Sequence, residues 1–340
     1  MSEIAIIGAG AWGTALSIVL ARKPEHRIRL WVHDEKVCGV ILRTGVNEAF
    51  LTGCALPAAV HPTTDLKAAI EGAEIVVSAV PSHHCRSIWE QMHEYLGRPT
   101  LLVSATKGLE NGTQMRMTEV IGQVVKSAAG FSPRIGALSG PSFALEVARG
   151  DPTAVTFASE DAELALTVQR EFSTPTLRVY TNQDVIGVEL GGALKNVIAI
   201  ASGVCVGVGL RHNSTAALIT RGLAEMTRLA VACGGKAETM AGLAGLGDLV
   251  LTCTGDLSRN RAVGVELGRG RKLPEILAGM HGKVAEGVFT TIAAVQLARA
   301  RQVEMPIAEQ MYSVLNQRKD PRQAIQELML RSSKSEALGL

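Results

Sequence analysis

Lys195 is a lone charged side chain in a long, mostly apolar stretch of the second half of the sequence. It lies in the segment Gly191-Gly192-Ala193-Leu194-Lys195-Asn196. A buried lysine is costly unless it is paired, and burial lowers its pKa. A lysine whose pKa approaches the operating pH can both donate and accept a proton. From this pattern alone a second interpretation stays open, in which Lys195 extends its ammonium group to solvent.

A carboxylate and a group of phosphate-binding residue types follow further along the chain. Asp248 ends the glycine-rich run 242–248 and stands between leucines, where it could also be a helix cap or a turn residue. Thr252 and the run Ser258-Arg259-Asn260-Arg261 supply a hydroxyl, a planar cation and an amide. Such groups suit a small phosphorylated substrate, because arginine binds phosphate in bidentate fashion. A solvated basic loop is the alternative.

The N-terminus carries a glycine pattern that is typical of dinucleotide binding. The apolar run 4–7 leads into Gly8-Ala9-Gly10-Ala11-Trp12-Gly13 and then into an apolar helical pattern. Gly8 permits a sharp turn, Gly10 lets a pyrophosphate approach the backbone, and Gly13 lets the helix pack closely on the sheet. The helix N-terminus favours the negative phosphates. A purely structural glycine-rich turn is the alternative.

The apolar periodicity predicts two domains. Short apolar runs alternate with helical stretches up to about residue 180, which is the pattern of a doubly wound parallel sheet. Ala-, Leu-, Gly- and Met-rich stretches at helical spacing follow from about residue 185. We therefore expect an α/β Rossmann-type dinucleotide-binding domain over 1–184 and an all-helical substrate and catalytic domain over 185–335. The predicted strands are 4–7, 28–32, 75–79, 101–104, 135–138, 154–158 and 177–180, and the predicted helices of the first domain are 11–22, 35–44, 84–95, 114–126, 142–149 and 161–171.

The composition indicates an ordinary globular protein. The chain has 340 residues, a net charge of +2 and 4% aromatic residues, so no basic patch or stacking platform predicts a nucleic-acid partner. Six cysteines without Cys-x-x-Cys spacing indicate reduced thiols and a cytoplasmic location. The triplet 83–85 lacks a second ligand cluster, so we expect no metal site. We also expect no stable membrane insertion, because the apolar run 4–21 contains three glycines and lacks preceding basic residues.

Several segments together resemble the bacterial NAD(P)-dependent sn-glycerol-3-phosphate dehydrogenases. These segments span nearly the whole chain in the family's order, and they are 8–15, 105–109, 139–144, 187–196, 220–226, 242–254 and 258–261. The resemblance implies reversible reduction of dihydroxyacetone phosphate to sn-glycerol 3-phosphate with NAD(P)H. It also implies a supply of glycerol phosphate for phospholipid synthesis, a cytoplasmic location and a possible homodimer.

The resemblance further implies roles for individual residues. Lys195 matches the catalytic acid/base, and Asp248 matches the residue that orients it and holds it charged. Lys107 and Asn196 match groups that position the substrate and stabilise negative charge on its oxygen. The substrate-binding matches are Lys107, Gly140, Ser142, Lys195, Asp248, Ser258, Arg259 and Asn260. The cofactor-binding matches are Gly8, Gly10, Ala11, Trp12, Gly13, His33, Lys107, Ala144, Arg259, Val284 and Glu286.

The cofactor preference depends on the end of the second predicted strand. An NAD-specific enzyme places an acidic residue there to bind the ribose hydroxyls. His33 can bind a 2′-phosphate, whereas Asp34 would repel one if it turned inward. Many relatives have arginine at the position of His33. We expect both NAD(H) and NADP(H) to be accepted, with NADP(H) slightly preferred.

Two other functions stay open on the sequence. Two-domain β-hydroxyacid and nucleotide-sugar dehydrogenases share the expected architecture and use a helical-domain lysine, but they normally lack the Arg259-Asn260 pair. A non-catalytic nicotinamide-binding regulator would use Lys195 and Asp248 only as structural residues.

Overall fold

The computed structural model describes residues 2–280 and 282–333, which form two compact units. The first unit comprises residues up to 106 and 117–185, and the second comprises 107–116 and the described residues from 186 onward. Residues 107–116, expected from the sequence in the first domain, thus group with the second unit. Residues 334 and 335, the end of the expected second domain, lie outside the described residues.

An eight-stranded sheet forms the centre of the first unit. The strand order is β3-β2-β1-β4-β5-β6-β7-β8, and its first six strands have the order of a dinucleotide-binding sheet. The strands are β1 (Ser2–Ile7), β2 (His26–Trp31), β3 (Val60–Thr63), β4 (Ile75–Ser78), β5 (Leu101–Ser104), β6 (Arg134–Ser139), β7 (Thr153–Ala158) and β8 (Leu177–Asn182). The helices are α1 (Ala11–Leu20), α2 (Glu35–Thr44), α3 (Leu66–Ile70), α4 (Cys85–Met92), α5 (Met117–Ala129), α6 (Ala144–Arg149) and α7 (Ala162–Phe172). The predicted α/β fold class is confirmed.

The sheet is not parallel throughout, which corrects the prediction. Strands β1 to β6 pair in parallel, whereas β7 runs antiparallel to β6 and parallel to β8. The connection between β6 and β7 contains only α6, and this helix packs against α1. A six-residue helix spans about 9 Å, which is too short to return along a strand of about 20 Å. The chain therefore re-enters the sheet at the end where β6 leaves it, so β7 runs antiparallel to β6.

Two elements were missed, and two predicted helices differ from the structure at their ends. β3 has only four residues, lies at the sheet edge and contains Pro62, and α3 has only five residues. The predicted helix 84–95 consists of α4 flanked by single 3₁₀ turns. The predicted helix 114–126 begins three residues later as α5, because residues 109–116 form a hairpin closed by an antiparallel bridge between Leu109 and Arg116.

Apart from the hairpin at 109–116, the regular secondary structure in the described residues of the second unit is helical. Its helices are α8 (Val185–Gly207), α9 (His212–Ala232), α10 (Ala237–Met240), α11 (Asp248–Thr254), α12 (Arg259–Gly268), α13 (Leu273–Ala278), α14 (Glu286–Ala300), α15 (Pro306–Asn316) and α16 (Pro321–Met329), with one π-helical turn at Leu243–Gly247. α8 is the central element, and its residues from Gly187 to Cys205 are all buried. By length and composition α8 could cross a membrane, but 89% of its most apolar window is buried inside the protein, as in a core helix.

Candidate active site

The turn between β1 and α1 has the geometry that its glycines predict. Gly8 has φ +114°, and a Cβ there would lie 2.8 Å from the carbonyl oxygen of Ala79. A Cβ on Gly13 would lie 1.9 Å from the carbonyl oxygen of Gly8, so helix and strand approach closely. Gly10 differs from both, because a Cβ there would meet no atom within 4 Å. This open approach is the cradle that a pyrophosphate needs.

The first turn of α1 offers donors to an anion. α1 begins at Ala11 with no side-chain cap and no acidic residue in its first turn, so no capping side chain occupies its first N–H groups. The indole Nε1 of Trp12 is buried and has no hydrogen-bond partner among the described residues. An orphaned donor beside an open helix N-terminus fits a phosphate-bearing cofactor. The residues present therefore fit a dinucleotide.

The end of β2 carries the residues that bear on cofactor preference. His33 is exposed, and its ring lies 5.5 Å from that of Trp31. The carboxylate of Asp34 accepts hydrogen bonds from the N–H groups of Lys36 at 2.7 Å and Val37 at 3.2 Å. Asp34 is thus the N-cap of α2, which holds its charge in a fixed position.

Three predicted site residues lie together after β6 in the first unit. Gly140 has φ +135°, and the hydroxyl of Ser142 donates to the carbonyl oxygen of Gly140 at 2.9 Å. Ala144 is the first residue of α6. The hydrogen bond fixes a tight turn in which Ser142 is only partly buried.

A buried lysine–aspartate centre lies in the second unit. Lys195 on α8 and Asp248 on α11 are 7% and 1% exposed, which excludes the solvent-extended interpretation of Lys195. The ammonium Nζ of Lys195 donates to Oδ1 of Asp248 at 2.5 Å and to the hydroxyl of Thr252 at 2.8 Å. Thr252 donates its own proton to the carbonyl oxygen of Asp248 at 2.6 Å, so the hydroxyl is oriented to accept from Lys195. Thr252 was expected near a phosphate, but its hydroxyl is held at the lysine.

Lys107 brings a second positive charge to the same carboxylate. Its Nζ donates to Oδ2 of Asp248 at 2.7 Å. Burial lowers the pKa of Lys195 to about 8, with the attraction of Asp248 opposing the shift and the repulsion of Lys107 adding to it. Burial would raise the pKa of Asp248, but the charges of Lys107 and Lys195 outweigh it and the pKa is lowered. Asp248 is thus ionised, whereas Lys195 can exchange its proton near neutral pH.

The hairpin that follows Lys107 is anchored to α8 at its last residue, Arg116. Arg116 donates to the carboxylate of Glu189 on α8 at 2.7 Å, and the Glu189 side chain is 4% exposed. Leu109, the first residue of the hairpin and two residues after Lys107, is 1% exposed in the core of the second unit. Nothing in the local pattern indicated this anchor, because Arg116 and Glu189 are far apart in sequence.

Two amides connect the lysine helix to α12 and α14. Asn260 donates from Nδ2 to Oδ1 of Asn196 at 2.8 Å, and its own Oδ1 accepts from the N–H of Gly287 at 2.9 Å. Both side chains are buried. The amide chain therefore fixes the orientation of Asn196, the residue next to Lys195.

The remaining predicted residues surround the start of α12. Ser258 is the N-cap of α12, and its hydroxyl accepts from the N–H of Arg261 at 3.2 Å. Arg259 is exposed, and Glu286, the first residue of α14, attracts its guanidinium. Val284 precedes α14 and is partly buried. Ser258 and Asn260 are buried on either side of the exposed Arg259. The segment 258–261 is therefore the ordered start of a helix and not the solvated basic loop that the sequence left open.

No metal cluster accompanies these groups in the described part of the chain. Within residues 2–280 and 282–333, no set of three or more His, Cys, Asp or Glu side chains could hold a metal ion. Burial raises the pKa of Cys253, next to Thr252, to about 12, so this thiol stays protonated.

The fold and site define an NAD(P)-dependent oxidoreductase, with a dinucleotide-binding unit and a helical unit that holds a lysine–aspartate centre. Two family profiles match the sequence. The N-terminus profile of NAD-dependent glycerol-3-phosphate dehydrogenase covers residues 3–165, and its C-terminus profile covers 184–326. The chain belongs to the NAD-dependent glycerol-3-phosphate dehydrogenase family, which confirms the resemblance seen in the sequence motifs.

Individual relatives agree with this assignment. The chain is 62% identical over 336 residues to the glycerol-3-phosphate dehydrogenase [NAD(P)+] of Koribacter versatilis, covering 99% of both chains. The crystal structure of glycerol-3-phosphate dehydrogenase from Coxiella burnetii matches with a TM-score of 0.92 at 41% identity, over 97% of this chain and 99% of that one. A ketopantoate reductase from Ralstonia eutropha shares only the fold, at 16% identity and a TM-score of 0.60, over 95% and 99% of the two chains.

Proposed function

We propose that this protein catalyses the reversible reduction of dihydroxyacetone phosphate to sn-glycerol 3-phosphate with NAD(P)H. The observation that carries the proposal is the buried ammonium of Lys195, which is held by Asp248 and Thr252 and has a pKa of about 8. The choice of substrate is supported by membership of the family and by the named relative at 62% identity. Together they favour this enzyme over a β-hydroxyacid or nucleotide-sugar dehydrogenase and over a regulator.

Lys195 is the proton donor and acceptor in this proposal. A bound nicotinamide cofactor supplies the hydride that adds to C2 of the substrate. Two of the three N–H groups of Lys195 contact Asp248 and Thr252, which leaves the third for the C2 oxygen. In reduction Lys195 gives its proton to that oxygen as the carbonyl becomes an alcohol. In the reverse direction the neutral amine takes the hydroxyl proton.

Asp248, Lys107 and Asn196 support that proton transfer. Asp248 orients the ammonium of Lys195 and compensates its charge inside the protein. Lys107 places positive charge beside the oxygen that becomes negative in the transition state, and the amide of Asn196 is oriented by Asn260 to help position the substrate.

Arg259 is the proposed phosphate ligand. Arg259 is an exposed residue at the start of α12, and arginine holds phosphate through two parallel hydrogen bonds. Ser258 and Asn260 flank it, and Gly140 and Ser142 complete the proposed substrate-binding set. Asn260 acts mainly by orienting Asn196, because its amide already has two buried partners.

The proposed cofactor residues are those of the β1–α1 turn and the groups matched through the family. Gly10, Ala11 and Trp12 would hold the pyrophosphate, while Gly8 and Gly13 keep the turn in shape. The other proposed contacts are His33, Lys107, Ala144, Arg259, Val284 and Glu286. We propose a slight preference for NADP(H), because the Asp34 carboxylate is held by the start of α2 and His33 is exposed at the end of β2.

The proposed cellular role follows from the family. The enzyme supplies glycerol phosphate for phospholipid synthesis in the cytoplasm, acts on small molecules as a possible homodimer, and has neither nucleic-acid partners nor a stable membrane insertion.

The test is NADPH oxidation followed at 340 nm with the purified protein. We expect rapid oxidation with dihydroxyacetone phosphate and little with unphosphorylated dihydroxyacetone or with β-hydroxyacid-type substrates. NADH in place of NADPH measures the cofactor preference. Cofactor binding without turnover of dihydroxyacetone phosphate would contradict the proposal and favour a regulator.

A further inference from the structure

The segment that leads into Asp248 is a single π-helical turn, Leu243–Gly247. It is closed by the N–H of Gly247, which donates to the carbonyl oxygen of Gly242 at 3.1 Å. π-helical turns are rare and frequently occur at functional sites. The turn leads directly into α11, whose first residue, Asp248, is buried.

The π turn lies unusually close to the lysine helix α8. A Cβ on Gly191 of α8 would lie 2.5 Å from the carbonyl oxygen of Ala244 in the π turn. The π turn also packs tightly against α10, since a Cβ on Gly245 would lie 2.1 Å from the carbonyl oxygen of Met240. Real Cβ atoms essentially never come closer than 3.0 Å to such an atom. Neither position can therefore carry a side chain unless the backbone moves.

The two contacts follow the same spacing along both segments. Gly191 precedes Lys195 by four residues on α8, and Ala244 precedes Asp248 by four residues. Gly191 and Lys195 therefore lie on the same face of α8, one turn apart, while Ala244 and Asp248 are separated by most of the π turn. The backbone contact between Gly191 and Ala244 is thus one turn away from the hydrogen bond between Lys195 and Asp248.

We propose that Gly191 and Gly245 are positioning residues for the reaction. The missing side chain of Gly191 lets the π turn lie at the distance from α8 at which Asp248 reaches Lys195, and the missing side chain of Gly245 lets the π turn fold against the end of α10. This inference rests on the proposed function, in which Lys195 is the proton donor. It assigns to two glycines the control of the catalytic ion pair.

Gly191→Ala is the direct test. The carbonyl oxygen of Ala244 has to move by about 0.5 Å or more to reach the 3.0 Å limit. We expect this movement to carry Asp248 away from Lys195. The titratable groups that face Lys195 are Asp248, Lys107 and Cys253, and only Asp248 favours its charged form strongly. With that attraction weakened, Lys195 loses its proton at lower pH. The alkaline decline of kcat for reduction should move down by roughly one pH unit.

Two control variants distinguish a specific effect on the position of Asp248 from a general loss of stability. Gly122→Ala lies on α5, where a Cβ meets nothing within 4 Å, so activity and pH profile should match the wild type. Gly203→Ala lies on α8 itself, where a Cβ would meet the carbonyl oxygen of Arg261 on α12 at 2.0 Å. It disturbs the packing of α8 at least as much as Gly191→Ala does, but away from Asp248. We expect it to lower the Tm without moving the alkaline decline.

The outcomes distinguish this inference from the proposed function. If the wild type is active and Gly191→Ala has the same pH profile, the positioning role is overturned and the proposed function stays intact. The same holds if Gly203→Ala shifts the profile as far as Gly191→Ala. A wild type that does not reduce dihydroxyacetone phosphate would overturn the proposed function itself.

A milder variant keeps the test available if Gly191→Ala does not fold. In Gly242→Ala the Cβ would lie 3.3 Å from the carbonyl oxygen of Thr239, so the start of the π turn moves by less. We expect a smaller shift of the alkaline decline in the same direction, and an unchanged profile would overturn the inference.

Discussion

Lys107→Met removes one of the two ammonium groups that share the carboxylate of Asp248. The substitution keeps an unbranched side chain of similar length but no charge. Lys107 donates to Oδ2 and Lys195 to Oδ1 of this carboxylate, so the two positive charges repel each other. Without Lys107, that repulsion disappears and the whole attraction of Asp248 acts on Lys195. Both changes favour the protonated form of Lys195 and raise its pKa.

The size of the shift follows from the geometry. Two nitrogens bound to the two oxygens of one carboxylate are roughly 5 Å apart, and Coulomb's law at that distance gives about 0.8–3.3 kcal/mol for dielectric constants of 80 to 20. This corresponds to about 0.6–2.4 pKa units. The Lys107 side chain is 17% exposed, so solvent screens it and the lower part of the range applies. We expect the pKa of Lys195 to rise from about 8 by roughly one unit.

The assay is the pH dependence of kcat for dihydroxyacetone phosphate reduction at saturating NADPH. Reduction needs protonated Lys195, so the rate declines as pH rises through its pKa. In Lys107→Met this decline should lie about one pH unit higher than in the wild type, even where kcat itself falls because substrate positioning is lost. Lys126→Met, which removes an exposed lysine on α5, is the charge control. A decline at unchanged or lower pH would refute the electrostatic reasoning.

Three further predictions concern the cofactor, the phosphate and stability. Gly10→Val should fold, because its Cβ meets nothing within 4 Å, but should weaken NADPH binding about tenfold or more in a fluorescence titration. Arg259→Ala should lower kcat/KM for dihydroxyacetone phosphate roughly 10- to 150-fold, the effect of losing a charge-assisted contact. The same variant should have little effect on kcat/KM for dihydroxyacetone, and Arg259→Lys should recover only part of the lost kcat/KM. Burial raises the pKa of Glu225, whose carboxylate accepts from the N–H groups of Ile307 and Ala308, from 4.5 to about 7. Between pH 4.5 and about 7 the folded state therefore binds a proton at Glu225 that the unfolded state does not bind. The free energy of unfolding falls as pH rises through this range. Glu225→Gln should remove much of the fall in Tm between pH 5 and pH 8.

Each of these predictions has an outcome that contradicts it. Unchanged NADPH affinity in folded Gly10→Val would place the dinucleotide elsewhere. Equal losses toward both substrates by Arg259→Ala, with cofactor KM intact, would make Arg259 a structural residue. A Glu225→Gln variant whose Tm falls with pH as steeply as that of the wild type would show that Glu225 does not titrate in this window.

The elements that could be predicted are those whose signal is local. β1, the glycine turn and α1 follow from an apolar run, three glycines and a helical pattern within a few residues of one another. The reversed direction of β7 could not be predicted, because alternating strands and helices look the same for either direction. β3 was not predicted, because its four residues include a proline and show no alternation of apolar and polar side chains.

The candidate site shows the same limit. Lys195 and Asp248 stood out as isolated charges, but their contact spans 53 residues of sequence and depends on tertiary packing.

Lys107 and Thr252 illustrate what local patterns leave out. The family resemblance pointed to Lys107, yet its contact with Asp248 joins residues 141 positions apart. Thr252 was noticed for its hydroxyl, while its four-residue spacing from Asp248 was the signal that both side chains share one face of a helix.

The central claim is that Lys195 transfers the proton in the reduction of dihydroxyacetone phosphate. The most direct measurement is kcat of Lys195→Ala beside the wild type, with NADPH binding and Tm measured on the same preparations. Loss of a positioned acid/base lowers the rate by about 10²–10⁴-fold, and we expect NADPH to bind as tightly as before. A folded Lys195→Ala variant that retains kcat within about threefold of the wild type, too little for a lost acid/base, would contradict the claim.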